Sequence, residues 1–486
     1  MKHKSRSKII SCFFLLFWLV MISLLLAKEG YLYQNRLTRL SSSQPLPFRE
    51  EWFSILYQDK RIGYLYQTTR PSLRKDAPYE LYSRMRLSLF LSGKEVPITL
   101  EGSSFFAKDY RLKNLSYCLK TFLYQVKVEG KRKGDFLELE VETAGRRIKK
   151  KIKIGNKVLA NSLVPSLFLS KLVPGTSFTL PLFDPLSLDL GEAKIEVFSF
   201  ARREGKKLFQ LKTTYQGIVT YSLVTEDGEM LEAETPLGLK IKKTSQQVAL
   251  GKLEKKEISD LLKRFSVAVE KKIEKPEELK SLKLKISGVE ISALLNERQQ
   301  SVDKDTISIV REKYPPSSKP LLPITIPQLK PFLQETIFIQ SEDREIREEA
   351  RTIIGREKDS RKAAELLLSW VYEKIKKEPT FSLPSAVEVL ERRVGDCNEH
   401  AILFTALARS IGIPTKIVLG LLYHQGAFYY HAWCKVFIGE WISLDPILNQ
   451  IPTDCTHLEL ASGDFGSQIE LIRYLGRIKI EIVNDD

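Results

Sequence analysis

Three residues in the last quarter of the chain have the types and the order for nucleophilic acyl chemistry: Cys397, His431 and Asp445. A cysteine attacks carbonyl carbon as its thiolate. A nearby histidine can carry the proton, and a carboxylate on the other ring nitrogen orients the imidazole and stabilises its charged form. Cys397 follows Gly395-Asp396, a turn and helix-start signal, and the run it heads stops at Gly412 and Pro414. This places Cys397 in the first turn of a buried helix. The positive end of a helix favours a thiolate, and its free N–H groups can stabilise an oxyanion. Ala401 and Ala408 keep the cysteine face of this helix small enough for another element to approach.

That element is expected to be the hairpin that follows. Thr415–Tyr423 reads as an apolar strand, His424–Ala427 as a polar loop, Phe428–Val436 as the second strand and Trp441–Pro446 as the return. On the second strand Tyr429, His431 and Trp433 share a face, while Cys434 points the other way. Setting Asp445 directly opposite His431 pairs Val436 with Glu440. It leaves the three-residue loop Phe437-Ile438-Gly439, with glycine in the place where such loops want a left-handed residue.

Each residue also has a plainer reading. Cys397 alone could be one more buried thiol. His400, on the same helix, reads as a group supporting the site rather than a second base. Trp433 is the candidate to line a substrate groove or to pack behind His431. His424 and His457 read as loop residues without a role. Cys397-x-x-His400 and His431-x-x-Cys434 resemble zinc-ligand pairs, yet His431 and Cys434 leave a regular strand on opposite sides. No metal and no cofactor are expected, and no acidic loop of the EF-hand kind is present in the sequence.

Gly395-Asp396-Cys397-Asn398-Glu399-His400-Ala401, then Gly412-Ile413-Pro414, Tyr430-His431-Ala432-Trp433 and Trp441-Ile442-Ser443-Leu444-Asp445-Pro446 together resemble the transglutaminase-like superfamily. Its folds are related to the papain-like cysteine proteases. The resemblance covers residues 340–460 and implies a cysteine-bearing helix packed on an antiparallel sheet. It further implies Cys397 as nucleophile, His431 as base and Asp445 as orienter. The implied substrate is a protein or peptide amide, attacked through a thioester that water or an amine resolves. A non-catalytic domain that binds peptides or supports an envelope assembly is the competing class.

A chain of 486 residues exceeds one hydrophobic core, and a hydrophobic content of 43% excludes a disordered protein. The net charge of +16 is spread among mixed charges, and no nucleic-acid motif accompanies it. The densest basic run, Arg146–Lys153, reads as a strand with a solvated face; an anionic surface as its partner is the alternative. Lys2, Lys4, Arg6 and Lys8 precede the uncharged run Ile9–Ala27, which is long enough to span a bilayer. Residues 1–30 are therefore expected to anchor a single-pass membrane protein with its bulk extracytoplasmic. A cleaved signal peptide is the competing reading.

Short alternating runs make residues 45–314 an antiparallel β-rich region of unknown role, with a short helix at Ile258–Phe265 and strands at Leu282–Val289 and Thr306–Arg311. Six prolines mark residues 315–340 as a linker. Residues 341–486 then form the transglutaminase-like domain. Its leading helices are expected at Asp343–Ile354, at Arg361–Lys377 capped by Ser360 with Trp370 in the core, and from Pro384 to Leu390. The expected fold class is α+β with an N-terminal transmembrane helix. Cys118, Cys397, Cys434 and Cys455 do not form a disulfide framework, although Cys434 and Cys455 are a candidate pair.

Overall fold

Alternation of apolar and polar residues dominates the first half of the chain, and there it builds one antiparallel sheet of fourteen strands. The computed structural model describes residues 48–485, apart from 92–93, 110, 122–124, 156–173, 185–187, 204, 216–217, 227, 236–237, 254–265, 290–298, 315–319, 379–384, 464–473 and 475. The chain divides into two units, one running to Ile258 and one from Ser259 onward.

In the first unit, eight strands lie side by side in chain order. They are β1 (Arg49–Tyr57), β2 (Lys60–Arg74), β3 (Ala77–Leu91), β4 (Lys94–Phe106), β5 (Leu112–Lys120), β6 (Gln125–Lys133), β7 (Phe136–Thr143) and β8 (Arg146–Lys153). Six more follow: β9 (Ser177–Asp184), β10 (Asp189–Arg203), β11 (Lys206–Tyr215), β12 (Ile218–Thr225), β13 (Met230–Glu234) and β14 (Leu239–Thr244). Strand β14 closes onto β1, Ile241 against Ile55, and joins the two meanders into one sheet. A short helix, α1 (Gln246–Leu250), follows. Arg61 on β2 binds its end through the carbonyls of Val248 and Gly251.

The basic run Arg146–Lys153 is β8, and it pairs along its whole length with the acidic β7. Lys151 lies 3.9 Å from Glu138, and Arg147 lies 3.3 Å from both Glu140 and Glu142. Cross-strand pairs with these glutamates thus offset part of its positive charge.

The second unit gathers segments far apart in sequence. β16 (Ser281–Ser287) lies between β18 (Thr306–Val310) and β25 (Lys479–Asp485), and β17 (Gln300–Asp303) pairs with β18. β15 (Val267–Ala268) pairs with β22 (Ala427–Phe437), the strand of His431. The central sheet continues with β21 (Thr415–His424), β23 (Trp441–Leu444) and β24 (His457–Ser462), in the order β15-β22-β21-β24 with β23 on β22. Helices α2 (Arg344–Ile354), α3 (Ser360–Lys374) and α4 (Ala386–Arg392) precede α5 (Cys397–Ser410). Between them, β19 (Lys376–Lys377) and β20 (Val394–Gly395) form a parallel pair.

Several expectations change. Strands make up 55% and helices 18% of the described residues, so the class is mostly β rather than α+β. Among the described residues no helix is long and apolar enough to cross a membrane. The expected anchor, residues 1–30, and the helix at Ile258–Phe265 lie outside the described residues. The strands at 281–310 belong to the second unit, where β16 pairs with both β18 and the C-terminal β25. The described part of the proline-rich segment is packed rather than extended. Leu322 and Ile324 are buried and donate to the carbonyls of Lys358 and Gly412. Asp359, not Ser360, caps α3. Trp370 is half-buried beneath the guanidinium of Arg393, 4.4 Å from its ring centre, rather than in the core. Cys434 and Cys455 are not bridged: Cys434 bonds Thr405 and Cys455 bonds the carbonyl of Leu279.

Candidate active site

Helix α5 starts on a reciprocal cap. The Asp396 side chain accepts from the Asn398 amide at 3.1 Å, and the Glu399 carboxylate accepts from the Asp396 amide at 3.0 Å. The cap fixes the direction in which the first turn, with Cys397, leaves the loop. Residues 397–409 are all buried, so the helix is enclosed on every side. One turn after Cys397, the Ala401 carbonyl meets Cys434 on β22, and Thr405 meets the same sulfur. Burial pushes the Cys434 thiol up to about 12, which leaves it an inert packing group.

Strand β22 presents His431, and the chain after β23 presents Asp445. His431 Nε2 lies 2.7 Å from Asp445 Oδ2, and both side chains are fully buried. The structure therefore brings this expected pair together, with Cys397 at the head of the helix packed on the same strand. Its register differs from the expected one. Val436 pairs with Ile442 and Phe437 with Trp441, so the loop is Ile438-Gly439-Glu440. The loop keeps three residues, but Gly439, at φ +104°, occupies the middle. A shift of two positions leaves strand-face parity unchanged. Asp445 accordingly stays on the side of His431, two positions along and level with Trp433.

Asp445 is satisfied from four directions. Its Oδ1 accepts from the amides of Ile447 at 2.9 Å and Leu448 at 3.2 Å. Its Oδ2 is shared by His431 and, at 3.2 Å, by His457 Nε2. Burial works against its charge, but His431 and His457 outweigh that and hold the carboxyl well below the usual range. Asp445 occupies Nε2 of His431, so proton exchange with a thiol falls to Nδ1.

His457, which the sequence reading left without a role, belongs to this cluster. It opens β24, is buried, and lies opposite Leu422 of β21. Its Nδ1 meets Asp454 Oδ1 at 3.2 Å. Burial disfavours its charge, yet Asp454 and Asp445 together raise it to about 9. The available signal was the Asp454-x-x-His457 spacing shortly after Asp445.

The supporting residues take definite places. His400 is buried, and its Nδ1–H donates to the Asp396 carbonyl at 2.6 Å. Burial lowers it to about 4, so it is neutral and braces the cap. Trp433 is 1% exposed and packs beside His431. Its ring stacks on His431 at 6.1 Å and meets His457 edge-on at 5.2 Å. Gly420 on β21 makes room for it, since a Cβ there would lie 2.7 Å from the Trp433 ring.

The donor atoms of His431, Asp445 and His457 lie within 4.8 Å of one another. By residue type they could hold a divalent ion. The contacts are instead those of N–H···O hydrogen bonds, and both nitrogens of His457 face carboxylate oxygens that call for protons. We therefore read the set as hydrogen-bonded.

A cysteine at a helix start, beside an antiparallel sheet that carries a histidine–carboxylate pair, is the papain-like arrangement. Residues 347–446 match the family model of the transglutaminase-like superfamily, so the chain carries a transglutaminase-like domain in its C-terminal part. No curated protein matches the chain. Among solved structures, a "putative cysteine protease" from Cytophaga hutchinsonii is 16% identical, over 42% of this chain and 86% of its own, with a TM-score of 0.29. A "putative protease" from Parabacteroides distasonis is 11% identical, over 79% and 68%, with a TM-score of 0.21. A β-barrel-like protein of a domain of unknown function from Brucella abortus is 11% identical, over 41% and 97%, with a TM-score of 0.32. The assignment rests on the match over residues 347–446.

Proposed function

We propose that the C-terminal unit is a cysteine acyl-transfer enzyme acting on amide bonds of proteins or peptides. The observation that carries this is the buried His431–Asp445 contact of 2.7 Å on the strand against which the Cys397 helix packs. In this reading the Cys397 thiolate attacks the carbonyl carbon and forms a C–S bond, while the carbonyl oxygen takes the negative charge. The tetrahedral intermediate collapses, the C–N bond breaks, and His431 Nδ1–H protonates the departing amine or ammonia. Water or a second amine then attacks the thioester, His431 takes its proton, and the thiolate leaves. Asp445 stays ionised and holds the imidazolium throughout. Cys397, His431 and Asp445 have no exposed surface, so substrate entry requires this site to open.

The test is mass spectrometry of a peptide library incubated with the protein, with and without a primary amine. Cleavage, deamidation and amine adducts have distinct mass changes, and each should vanish in Cys397→Ala. A library left unchanged, together with equal labelling of wild type and Cys397→Ala by a thiol-directed acyl probe, would favour a peptide-binding domain without turnover.

A further inference from the structure

His457 shares one oxygen of Asp445 with the imidazole that would do the chemistry. Both rings use the same carboxylate oxygen, at 2.7 Å for His431 and 3.2 Å for His457, and their centres are 5.9 Å apart. We propose that His457 is a positioning residue for the His431–Asp445 pair: it holds the shared carboxylate oxygen in place and supplies a fixed positive charge inside the site. The proposal rests on the acyl-transfer reading of Cys397 and His431.

The charge follows from geometry. A neutral imidazole has one N–H, so one of its nitrogens would set a lone pair against a carboxylate oxygen. His457 has such an oxygen at each nitrogen, Asp445 Oδ2 and Asp454 Oδ1, both at 3.2 Å. Neither acid can turn away. Asp445 is held by the amides of Ile447 and Leu448. Asp454 Oδ1 accepts from the Thr456 amide at 2.9 Å and the Thr456 hydroxyl at 2.5 Å, and its Oδ2 accepts from Gln450 at 3.1 Å. The ring must carry two protons to satisfy both, and its elevation to about 9 agrees.

Besides Asp445 and Asp454, the groups around His457 add no net charge. From β22, His431 and Trp433 face His457. Further along its own strand, Glu459 is neutralised by Lys435 at 2.5 Å. From α5, His400 is neutral and Glu399 is bound into the cap. Asp454 and Asp445 carry two negative charges and His457 one positive. When the thiol proton passes to His431, the imidazolium supplies the second positive charge. His457 therefore favours a thiolate at Cys397 and tempers proton affinity at His431. A unit charge at about 6 Å, at an effective dielectric of about 20–40, moves a titration by roughly one to two pH units.

The chain has five histidines, so a titration of histidine labelled with 13C at Cε1, read by NMR on the full chain, resolves each ring. In the wild type, His457 should stay protonated past pH 8. In His457→Gln, the His431 midpoint should rise by one unit or more. The pH at which iodoacetamide alkylates Cys397, located by peptide mapping, should rise with it. A wild-type His457 that titrates near 6.5 overturns the proposal without any variant. A folded His457→Gln in which the His431 midpoint does not move overturns it as well. Failure of the acyl-transfer reading looks different: Cys397 then alkylates no faster than an ordinary thiol in wild type and variant alike, whatever the two histidines do.

Discussion

Replacing Gly420 with alanine should damage the candidate site from the neighbouring strand without touching any polar group in it. Gly420 lies opposite His431 on β22 and Glu459 on β24. A Cβ there would sit 2.0 Å from the Leu458 carbonyl oxygen and 2.7 Å from Cη2 of Trp433. Carbon and oxygen need more than 3 Å, so β24 would have to move by about 1 Å or Gly420 by as much. Overpacking usually costs about 1–3 kcal/mol. The principal obstacle here is ladder backbone rather than the end of a flexible side chain, which puts the cost near the top, about 3 kcal/mol. The same movement draws His457 away from Asp445. Urea unfolding followed by tryptophan fluorescence should show the transition of the C-terminal unit falling by about 1 M or more at unchanged slope. Adding Trp433→Leu relieves only the ring contact, so the double variant should recover little. An unchanged midpoint in Gly420→Ala, or full recovery in the double variant, would refute the assignment of the clash to the Leu458 carbonyl.

The buried Lys435–Glu459 pair is the second sensitive point, with both side chains under 5% exposed. Glu459→Gln leaves the ammonium without its anion and should cost about 3–5 kcal/mol, whereas Lys435→Met with Glu459→Leu should return most of it, measured by the same unfolding curves. Stability should also peak near pH 6.5. His457 is raised to about 9, so its contribution, about 3 kcal/mol, is whole below 6.5 and lost as pH climbs through 9. His400 is lowered to about 4, so protonating it costs stability as pH falls from 6.5 toward 4. Asp445 and Asp454, both depressed, steepen the loss below the ordinary carboxylate range. A flat profile between pH 6.5 and 9 would rule out the charged His457.

Local rules carried the reading of the cysteine helix and its hairpin. Gly395-Asp396 marked the start of α5, and alternation put His431 and Trp433 on one face. The hairpin register was wrong by two, because turn chemistry favoured glycine at the third loop position and the fold uses the second. Parity absorbed the error, which is why Asp445 still reached His431. His457 was not legible, since its role depends on β24 pairing with β21 across 35 residues or more of chain. Trp370 failed for a related reason: helical periodicity placed it near the core face, but Arg393 is what covers it. The N-terminal strands were visible as alternation, whereas the closure of β14 on β1 is a pairing of ends that no local pattern announces.

The family match spans residues 347–446, but the contacts that hold the site extend well beyond it. Glu312 accepts from the Ser443 amide at 2.7 Å and its hydroxyl at 2.5 Å, two residues before Asp445. Gln300 exchanges hydrogen bonds with the backbone of Glu459, both at 2.9 Å, and Tyr314 donates to the Ile451 carbonyl at 2.9 Å. Val267 and Ala268 extend the sheet along β22, and β25 is held by β16. Removing residues before 341 would strip the buried Ser443 amide and hydroxyl of their carboxylate partner. The hydroxyl keeps Thr453 as partner, but the amide is left unpaired at about 1–3 kcal/mol, and the lost strands at 267–310 add to a deficit that is large beside the stability of an ordinary domain. A fragment of residues 341–486 should therefore be insoluble or lack a cooperative transition, while one of residues 266–486 should unfold cooperatively. If the shorter fragment folded as well as the longer one, the strands at 267–310 would be an attachment to this unit rather than part of what supports His431 and Asp445.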